Sequence, residues 1–330
     1  MAIPATFRAF RIHDDEAGYR SGIEEVGLAD LSPGEVVLRT AYSSINFKDA
    51  LAGTGKGKIL RRFPLVGGID VAGHVVASAD AAFKEGDDVL VTGCGLSETR
   101  DGGYSEYARV EAKWAIPLPA GLSLRESMVL GTAGFTAALA LLRMTENRQH
   151  PGLGPLAVTG ATGGVGSLAV DIFSTAGYEV HAISGKPEQA AWLKAIGASE
   201  VLGRDALATT RPMESARFGG GLDNVGGPML ASLLAQTAPY GNVASAGLAA
   251  SHDLDATVMP FIIRGVSLLG VASAGTARDI RDEVWRRLAG EWKPRHLERI
   301  CTREVRMEAL PEVFEGMLAG GSHGRTLVAF

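Results

Sequence analysis

The sequence predicts an α/β protein with two lobes, a β-rich lobe and a second lobe built on a doubly wound parallel sheet. The chain has 330 residues, about twice the length of an ordinary domain. Residues 1 to about 125 read as short β runs separated by turns. From Pro155 onward, strands alternate with helices, which is the pattern of a parallel sheet with crossover connections.

Composition sets the limits on the class of protein. Hydrophobic residues make up 46% and charged residues 21%, enough for a large core. A net charge of −5 argues against nucleic acid as a partner, because phosphate binding needs a basic face. The apolar stretch 128–142 is shorter than the ~20 residues of a membrane span. With two cysteines and no signal-peptide pattern, we expect a chain of the reducing cytoplasm with no membrane partner.

The pattern of strands and helices places the lobe boundary near Ser123, whose spacing to Glu126 predicts a capping box and a helix start. In the second lobe we expect a strand at Leu156–Thr159, a helix at 165–176 and a strand at 180–184. The tail, ending in a strand at 326–330, is expected to rejoin the first lobe. The predicted domains are therefore 1–125 with 300–330, and 126–299.

A glycine-rich turn, Thr159-Gly-Ala-Thr-Gly-Gly-Val-Gly166, lies between the first strand and first helix of the second lobe. Glycines there let the backbone approach a pyrophosphate at the helix N-terminus, so Thr162, Gly163, Gly164 and Val165 are candidate dinucleotide ligands. The alternative is a turn of this kind in an unrelated α/β domain. A short-chain dehydrogenase is excluded, because no tyrosine is followed by lysine four residues later.

The end of the next strand indicates which dinucleotide is bound. NAD enzymes place an acidic residue there, whereas this chain has Ser184-Gly185-Lys186, with Arg204 after the following strand. A hydroxyl and two cations favour a 2′-phosphate, which an acid would repel. We therefore predict NADPH; the alternative is that Lys186 and Arg204 are ordinary solvated charges.

With these features in order, the chain resembles the medium-chain dehydrogenase/reductase superfamily. The resemblance rests on the β-rich first lobe, the glycine turn and the closing Gly324-Arg-Thr-Leu-Val328. It implies a GroES-like catalytic lobe, a Rossmann lobe and NADPH in the cleft between them. It also implies a homodimer, because the apolar stretch 258–271 looks like the family's edge strand of the nucleotide-binding sheet.

Zinc enzymes of this superfamily carry Cys-x-x-Asp, Gly-His-Glu and a further Cys. The matching places here read Asn46-Phe-Lys-Asp49, Gly68-Ile-Asp70 and Gly131-Thr132. Asn46, Ile69 and Thr132 do not supply the three ligands of a catalytic zinc site. We therefore expect activity without a metal.

Segments 42–51, 55–64 and 67–73 are similar to the acryloyl-CoA reductase branch of the family. This resemblance implies hydride transfer from NADPH to the β-carbon of a short enoyl-CoA, acryloyl-CoA giving propionyl-CoA. Two alternatives stay open: an NADPH:quinone oxidoreductase on the same fold, and a non-catalytic NADPH-binding protein.

The resemblance also implies roles for individual residues. The expected catalytic residues are Tyr42, Asn46 and Asp49, although Asn46 and Asp49 also fit a helix cap and Tyr42 a half-buried core position. The expected CoA contacts are the four cations of a basic loop, which is more commonly a solvated surface; they are Lys56, Lys58, Arg61 and Arg62. The further NADPH contacts implied are Tyr42, Asn46, Thr132, Leu248, Ile262, Ser273 and Arg325.

Overall fold

The computed structural model describes residues 3–330 and divides the chain into two compact units. The first unit comprises residues up to Thr132, Ala274–Glu283 and Cys301–Phe330; the second comprises Ala133–Ser273 and Val284–Ile300. The sequence placed the division at residue 126. In the structure the units divide beside Gly131, where a helix departs from helical geometry with φ 51° and ψ −157°.

The first unit contains ten strands, which are β1 Phe7–Asp15, β2 Gly18–Val26, β3 Val36–Ile45, β4 Leu65–Val66, β5 Asp70–Ser78, β6 Asp88–Thr92, β7 Tyr107–Val110, β8 Ile116–Pro117, β15 Cys301–Val305 and β16 Arg325–Ala329 among the described residues. The described strands of the second unit are β9 Leu156–Thr159, β10 Val180–Ile183, β11 Glu200–Leu202, β12 Phe218–Asp223, β13 Thr237–Ser245 and β14 Ser267–Gly270. The helices are α1 Phe47–Thr54, α2 Leu124–Glu146, α3 Gly164–Thr175, α4 Ala190–Ala195, α5 Gly227–Ala235, α6 Met259–Arg264, α7 Arg278–Ala289, α8 Leu297–Ile300 and α9 Leu310–Leu318.

The first unit is built on two sheets. One has the order β2-β1-β4, and the other has the order β15-β16-β3-β5-β6-β8, with β7 also paired to β3. The C-terminal strand β16 pairs antiparallel with β3, with Thr326 opposite Ile45 and Ala329 opposite Tyr42. This pairing brings the end of the chain against the strand that precedes α1.

The second unit contains one parallel sheet in the order β11-β10-β9-β12-β13-β14. Every residue of β9, β10 and β12 is buried, as expected for strands covered by helices on both faces. The strand order reverses between β9 and β12. Ligands of open α/β sheets bind outside the carboxyl ends of the strands at such a point. The α/β fold with a β-rich lobe and a parallel-sheet lobe is confirmed.

Two local expectations differ from the structure. The segment 258–271 was interpreted as an edge strand, but its first half forms α6 and only β14 lies at the sheet edge. Pro260 starts that helix and Gly265 ends it in the left-handed conformation, a combination typical of a short helix rather than a strand.

The helix α2 is longer than the apolar stretch that marked it in the sequence. It has 23 residues, and within residues 3–330 it is the one helix long and apolar enough to cross a membrane. Of the 18-residue apolar stretch of this helix, 83% is buried inside the protein, as in a core helix. Its start is the expected capping box: Ser123 N–H donates to Glu126 Oε2, and Glu126 N–H donates to Ser123 Oγ.

Candidate functional site

The glycine turn of the second unit connects β9 to α3 at the point where the strand order reverses. Gly160 has φ 59°, a conformation that favours glycine, and its carbonyl accepts from the Gly163 N–H at 3.0 Å. A Cβ on Gly166 would lie 2.3 Å from the Gly160 oxygen. Position 166 therefore has no room for a side chain, and the turn leads directly into α3, whose first N–H groups favour an anion.

Around the next strand end, the structure brings together the residues expected to hold a 2′-phosphate. The carboxyl ends of β10 and β11 are adjacent, with Ile183 opposite Leu202. Ser184 is buried, and its Oγ accepts from the Lys186 N–H at 3.0 Å. A Cβ built on Gly185 would lie 2.6 Å from Arg204 Nε, so the guanidinium lies against this strand end.

A cavity of about 560 Å³ in the second unit has Arg204 in its wall. The other lining residues come from the segment after β11 and from the first turns of α5, and they are Leu207, Ala208, Thr209, Thr210, Arg211, Pro228, Met229 and Ser232. None of these other lining residues was expected from the sequence to have a role. The segment before β12 has no repeating pattern, so only its place beside Arg204 in the fold reveals it.

The remaining second-unit residues with an expected role lie near the sheet's last strands. Leu248 follows β13 and Ile262 lies on α6; their exposed fractions are 67% and 77%. Ser273 is half-buried after β14. Tyr42, Asn46, Thr132 and Arg325 belong to the first unit instead.

In the first unit, Asp70 is the centre of a buried polar cluster. Its carboxylate accepts from Ser44 Oγ at 2.6 Å and from Asn46 Nδ2 at 2.8 Å. Thr132 adds its N–H at 3.0 Å and its Oγ1 at 2.6 Å. Asp70 is fully buried, so these bonds offset the loss of water around its charge. From the sequence, Asp70 stood out only as the residue in place of the glutamate of zinc enzymes.

Asn46 and Asp49 form the helix cap that was the alternative to a catalytic role. Asn46 N–H donates to Asp49 Oδ2 at 2.8 Å, and Asp49 Oδ1 accepts from the Ile69 N–H at 2.9 Å. The two hydrogens of the Asn46 amide are both in use, since Nδ2 also contacts Asp49 Oδ2 at 3.2 Å besides Asp70. This amide therefore orients the carboxylates rather than presenting a free donor.

Arg325 lies inside the same cluster and is 2% exposed. Its Nε donates to the Val129 carbonyl at 2.9 Å, and its Nη1 donates to the Ile45 carbonyl at 3.0 Å and to Asn46 Oδ1 at 3.1 Å. Its Nη2 donates to Ser44 Oγ at 2.8 Å. Burial lowers the pKa of Arg325, and the nearby carboxylates oppose that shift. Arg325 thus supplies the positive charge of the cluster from within the first unit.

Tyr42 lies two residues before Ser44 on β3 and differs from the residues of the cluster. It is half-buried on β3, opposite Ala72 and Ala329. Among residues 3–330, no hydrogen-bond partner of its hydroxyl is found. Tyr104 was not singled out in the sequence, and its hydroxyl is committed to the Ser44 carbonyl at 3.1 Å. Tyr42 therefore keeps a donor that the cluster does not consume.

The basic loop 56–62 carries fewer unpaired charges than its sequence suggests. Lys56 Nζ pairs with Glu315 Oε2 at 2.7 Å, and Arg62 Nη2 lies 3.9 Å from Asp101 Oδ2. Lys58 and Arg61 are exposed, and neither forms an ion pair with another residue of the described part of the chain. The loop thus presents two cations that the protein itself does not neutralise.

The pKa of Asp49 provides a test of this cluster. Burial, followed by the neighbouring charge of Asp70, raises its pKa to about 7. An unfolded aspartate titrates near ~3.9, so between these values the folded state holds a proton that the unfolded state lacks. Relative to Asp49→Asn, the native protein should lose about 2 kcal/mol of unfolding free energy from pH 5.5 to 8. Urea denaturation of both proteins at the two pH values measures this, and a constant difference would contradict it.

Two protein-family models match this chain. The family model described as an alcohol dehydrogenase GroES-like domain matches residues 32–120, and the model described as a zinc-binding dehydrogenase matches residues 164–290. Within residues 3–330, no group of three or more His, Cys, Asp or Glu side chains that could hold a metal ion is found.

Three relatives match over nearly their whole length. YhfP of Bacillus subtilis, which carries a quinone oxidoreductase name, is 44% identical over 98% of each chain; its structure with NAD bound has a TM-score of 0.95. The acrylyl-CoA reductase AcuI of Ruegeria pomeroyi is 42% identical over 96% of each chain. The structure of the Salmonella enterica oxidoreductase yhdH in complex with NADP is 41% identical, covers 98% of this chain and 99% of its own, and has a TM-score of 0.94.

Proposed function

We propose that this chain, which belongs to the medium-chain dehydrogenase/reductase family, uses NADPH to reduce the carbon–carbon double bond of a short enoyl-CoA. The proposed main substrate is acryloyl-CoA. The observation that carries this proposal is the cluster around Asp70, which occupies the place of a metal site. There Asn46 and Thr132 bind a carboxylate, and the Tyr42 hydroxyl stays uncommitted. The Tyr42 hydroxyl is the donor left to stabilise an enolate by hydrogen bonding, so the proposed chemistry needs no Lewis acid.

The second unit fits NADPH. The glycine turn leaves room for a pyrophosphate at the start of α3, and Ser184, Lys186 and Arg204 surround a position suited to a 2′-phosphate. The cavity beside Arg204 would take the adenosine end. The related yhdH protein was solved with NADP, whereas YhfP was solved with NAD. We propose Leu248, Ile262 and Ser273 as further contacts on the nicotinamide side.

NADPH, when bound, supplies the hydride that reaches the β-carbon of the thioester. Negative charge then develops on the thioester oxygen, and a donor placed there lowers the barrier. Tyr42 is the proposed donor, since its hydroxyl is free of other bonds while the Asn46 amide is engaged on both hydrogens. The α-carbon then takes a proton from a side chain or from water, which completes propionyl-CoA.

The other residues of the cluster act by positioning. Thr132 Oγ1 gives its hydrogen to Asp70, so only its lone pairs can face a ligand, and we propose that it accepts from the nicotinamide amide. Asn46, Asp49 and Arg325 fix the start of α1 and the end of β3. Arg325 is proposed to act through Asn46 rather than by touching NADPH.

A quinone reductase is the second candidate, favoured by the 44% identity to YhfP. The rate of NADPH oxidation distinguishes the enoyl-CoA reductase from the quinone reductase. It is measured with acryloyl-CoA, longer enoyl-CoA thioesters and a short quinone, each with and without a chelator. We expect the highest kcat/KM for acryloyl-CoA and no loss on chelation. Fast quinone turnover without thioester turnover would overturn the substrate, and activity lost on chelation and restored by zinc would overturn the metal-free chemistry. Tight NADPH binding without turnover of any acceptor would indicate a non-catalytic binding protein.

We also propose a homodimer through the edge of the parallel sheet. The strand β14 has no partner on one side within the described chain, and exposed apolar side chains lie on or next to it. Val258, Ile263 and Leu268 have exposed fractions of 63%, 61% and 37%. Pairing across a two-fold axis would cover both features. Light scattering should give twice the 34.4 kDa chain mass, and a monomer at micromolar concentration would contradict this.

A further inference from the structure

Gly185 occupies a position whose backbone does not require glycine. It follows the buried Ser184, whose N–H donates to the Leu202 carbonyl at 2.9 Å. Gly185 does not have a positive φ, so an L-residue could adopt its backbone conformation. Its lack of a side chain therefore needs another explanation.

The explanation lies in what a side chain would meet. A Cβ on Gly185 would lie 2.6 Å from Arg204 Nε, 2.8 Å from Cζ and 2.9 Å from Nη2. All three are shorter than a van der Waals contact, and all belong to one guanidinium. By contrast, a Cβ on Gly166 would meet backbone atoms of the turn itself. Gly185 is thus bounded by the end of an exposed side chain, whereas Gly166 is bounded by backbone atoms.

We propose that Gly185 is a specificity-determining residue, which leaves space for the Arg204 guanidinium over the strand end and so sets the affinity for a nucleotide 2′-phosphate. The proposal rests on the proposed use of NADPH. A methyl group at 185 would overlap the guanidinium and push it away from the strand end that Ser184 and Lys186 share. Charge-assisted hydrogen bonds to phosphate require close contact, so even a small displacement weakens them.

The displacement should leave the fold unchanged. Arg204 is exposed, and the far end of its side chain can rotate into solvent without moving the backbone. Gly185→Ala is therefore expected to melt at the wild-type temperature without nucleotide. The predicted loss is restricted to ligands that carry a 2′-phosphate.

The test measures binding by calorimetry, with adenosine 2′,5′-bisphosphate and adenosine 5′-monophosphate as probes. Gly185→Ala should weaken the bisphosphate about tenfold and leave the monophosphate unchanged. In an Arg204→Ala background the same substitution should have no further effect, because the displaced group is gone. Gly290→Ala is the matched control in the second unit, since its Cβ would lie 3.4 Å from the nearest atom, the Arg286 oxygen.

The outcomes separate this proposal from the cofactor assignment. If the wild-type protein binds both probes equally, the NADPH assignment fails and this proposal fails with it. If the wild-type protein prefers the bisphosphate and Gly185→Ala keeps that preference, only the role of Gly185 is overturned. Equal weakening of both probes, or additive effects with Arg204→Ala, would mean that Gly185 acts through backbone approach instead.

Discussion

Replacing Arg325 by methionine should lower the unfolding free energy by about 3–5 kcal/mol. The guanidinium is buried, and it donates to the Val129 and Ile45 carbonyls, Asn46 Oδ1 and Ser44 Oγ. Methionine fills much of the volume but donates no hydrogen bond. Its introduction would leave those acceptors unsatisfied and the Asp70 charge without a nearby cation. Urea denaturation at neutral pH measures the loss.

Two comparisons define the cause of that loss. Arg303→Met is the matched control, because Arg303 pairs with Glu312 at 2.9 Å on the surface; it should change stability by no more than roughly 0.5 kcal/mol. Adding Asp70→Asn to Arg325→Met should recover part of the loss, since it removes the unpaired charge. A stable single variant, or a double variant that loses the sum of both effects, would mean that charge balance does not hold the cluster together.

The fold and the nucleotide-binding turn could be predicted because their signals are local. The turn from Thr159 to Gly166 needs its glycines wherever the rest of the chain lies, and the capping pair Ser123 and Glu126 depends only on spacing. The segment 258–271 was harder, because short apolar runs fit a helix or a strand equally well. There Pro260 and Gly265 decided in favour of α6.

The polar cluster could be predicted only in part because its bonds join distant segments. Asn46 and Asp49 are close in sequence, and their cap was foreseeable. The engagement of the Asn46 amide with Asp70 and Arg325 spans 24 and 279 positions, so no spacing rule reveals it. The cavity beside Arg204 is equally non-local, since its wall combines the segment after β11 with the start of α5.

The basic loop shows how pairing changes a prediction made from charge alone. By charge alone, the four cations of 56–62 are equally good candidates for CoA contacts. In the structure Lys56 is paired with Glu315, and Arg62 Nη2 donates to Ser32 Oγ at 2.5 Å beside Asp101. The cations available to a polyanionic carrier are therefore Lys58 and Arg61, which lack an ion pair within residues 3–330.

The double variant Lys58→Ala with Arg61→Ala should raise KM for acryloyl-CoA roughly 30-fold and change kcat little, because each cation would bind the substrate and the transition state equally. A small enone without CoA should be reduced at the wild-type rate by the same variant. The effect should shrink as ionic strength rises, since these side chains are exposed to solvent. Steady-state kinetics at low and high salt test all three expectations.

Lys56→Ala is the matched control, because it removes a cation of the same loop that is already neutralised by Glu315. It should change KM for acryloyl-CoA much less than either Lys58→Ala or Arg61→Ala alone. An equal effect from all three would show that the loop acts through its total charge rather than through unpaired cations. Unchanged kinetics in the Lys58 and Arg61 double variant would remove this loop from CoA recognition, while leaving Tyr42 and the Asp70 cluster as the proposed chemical centre.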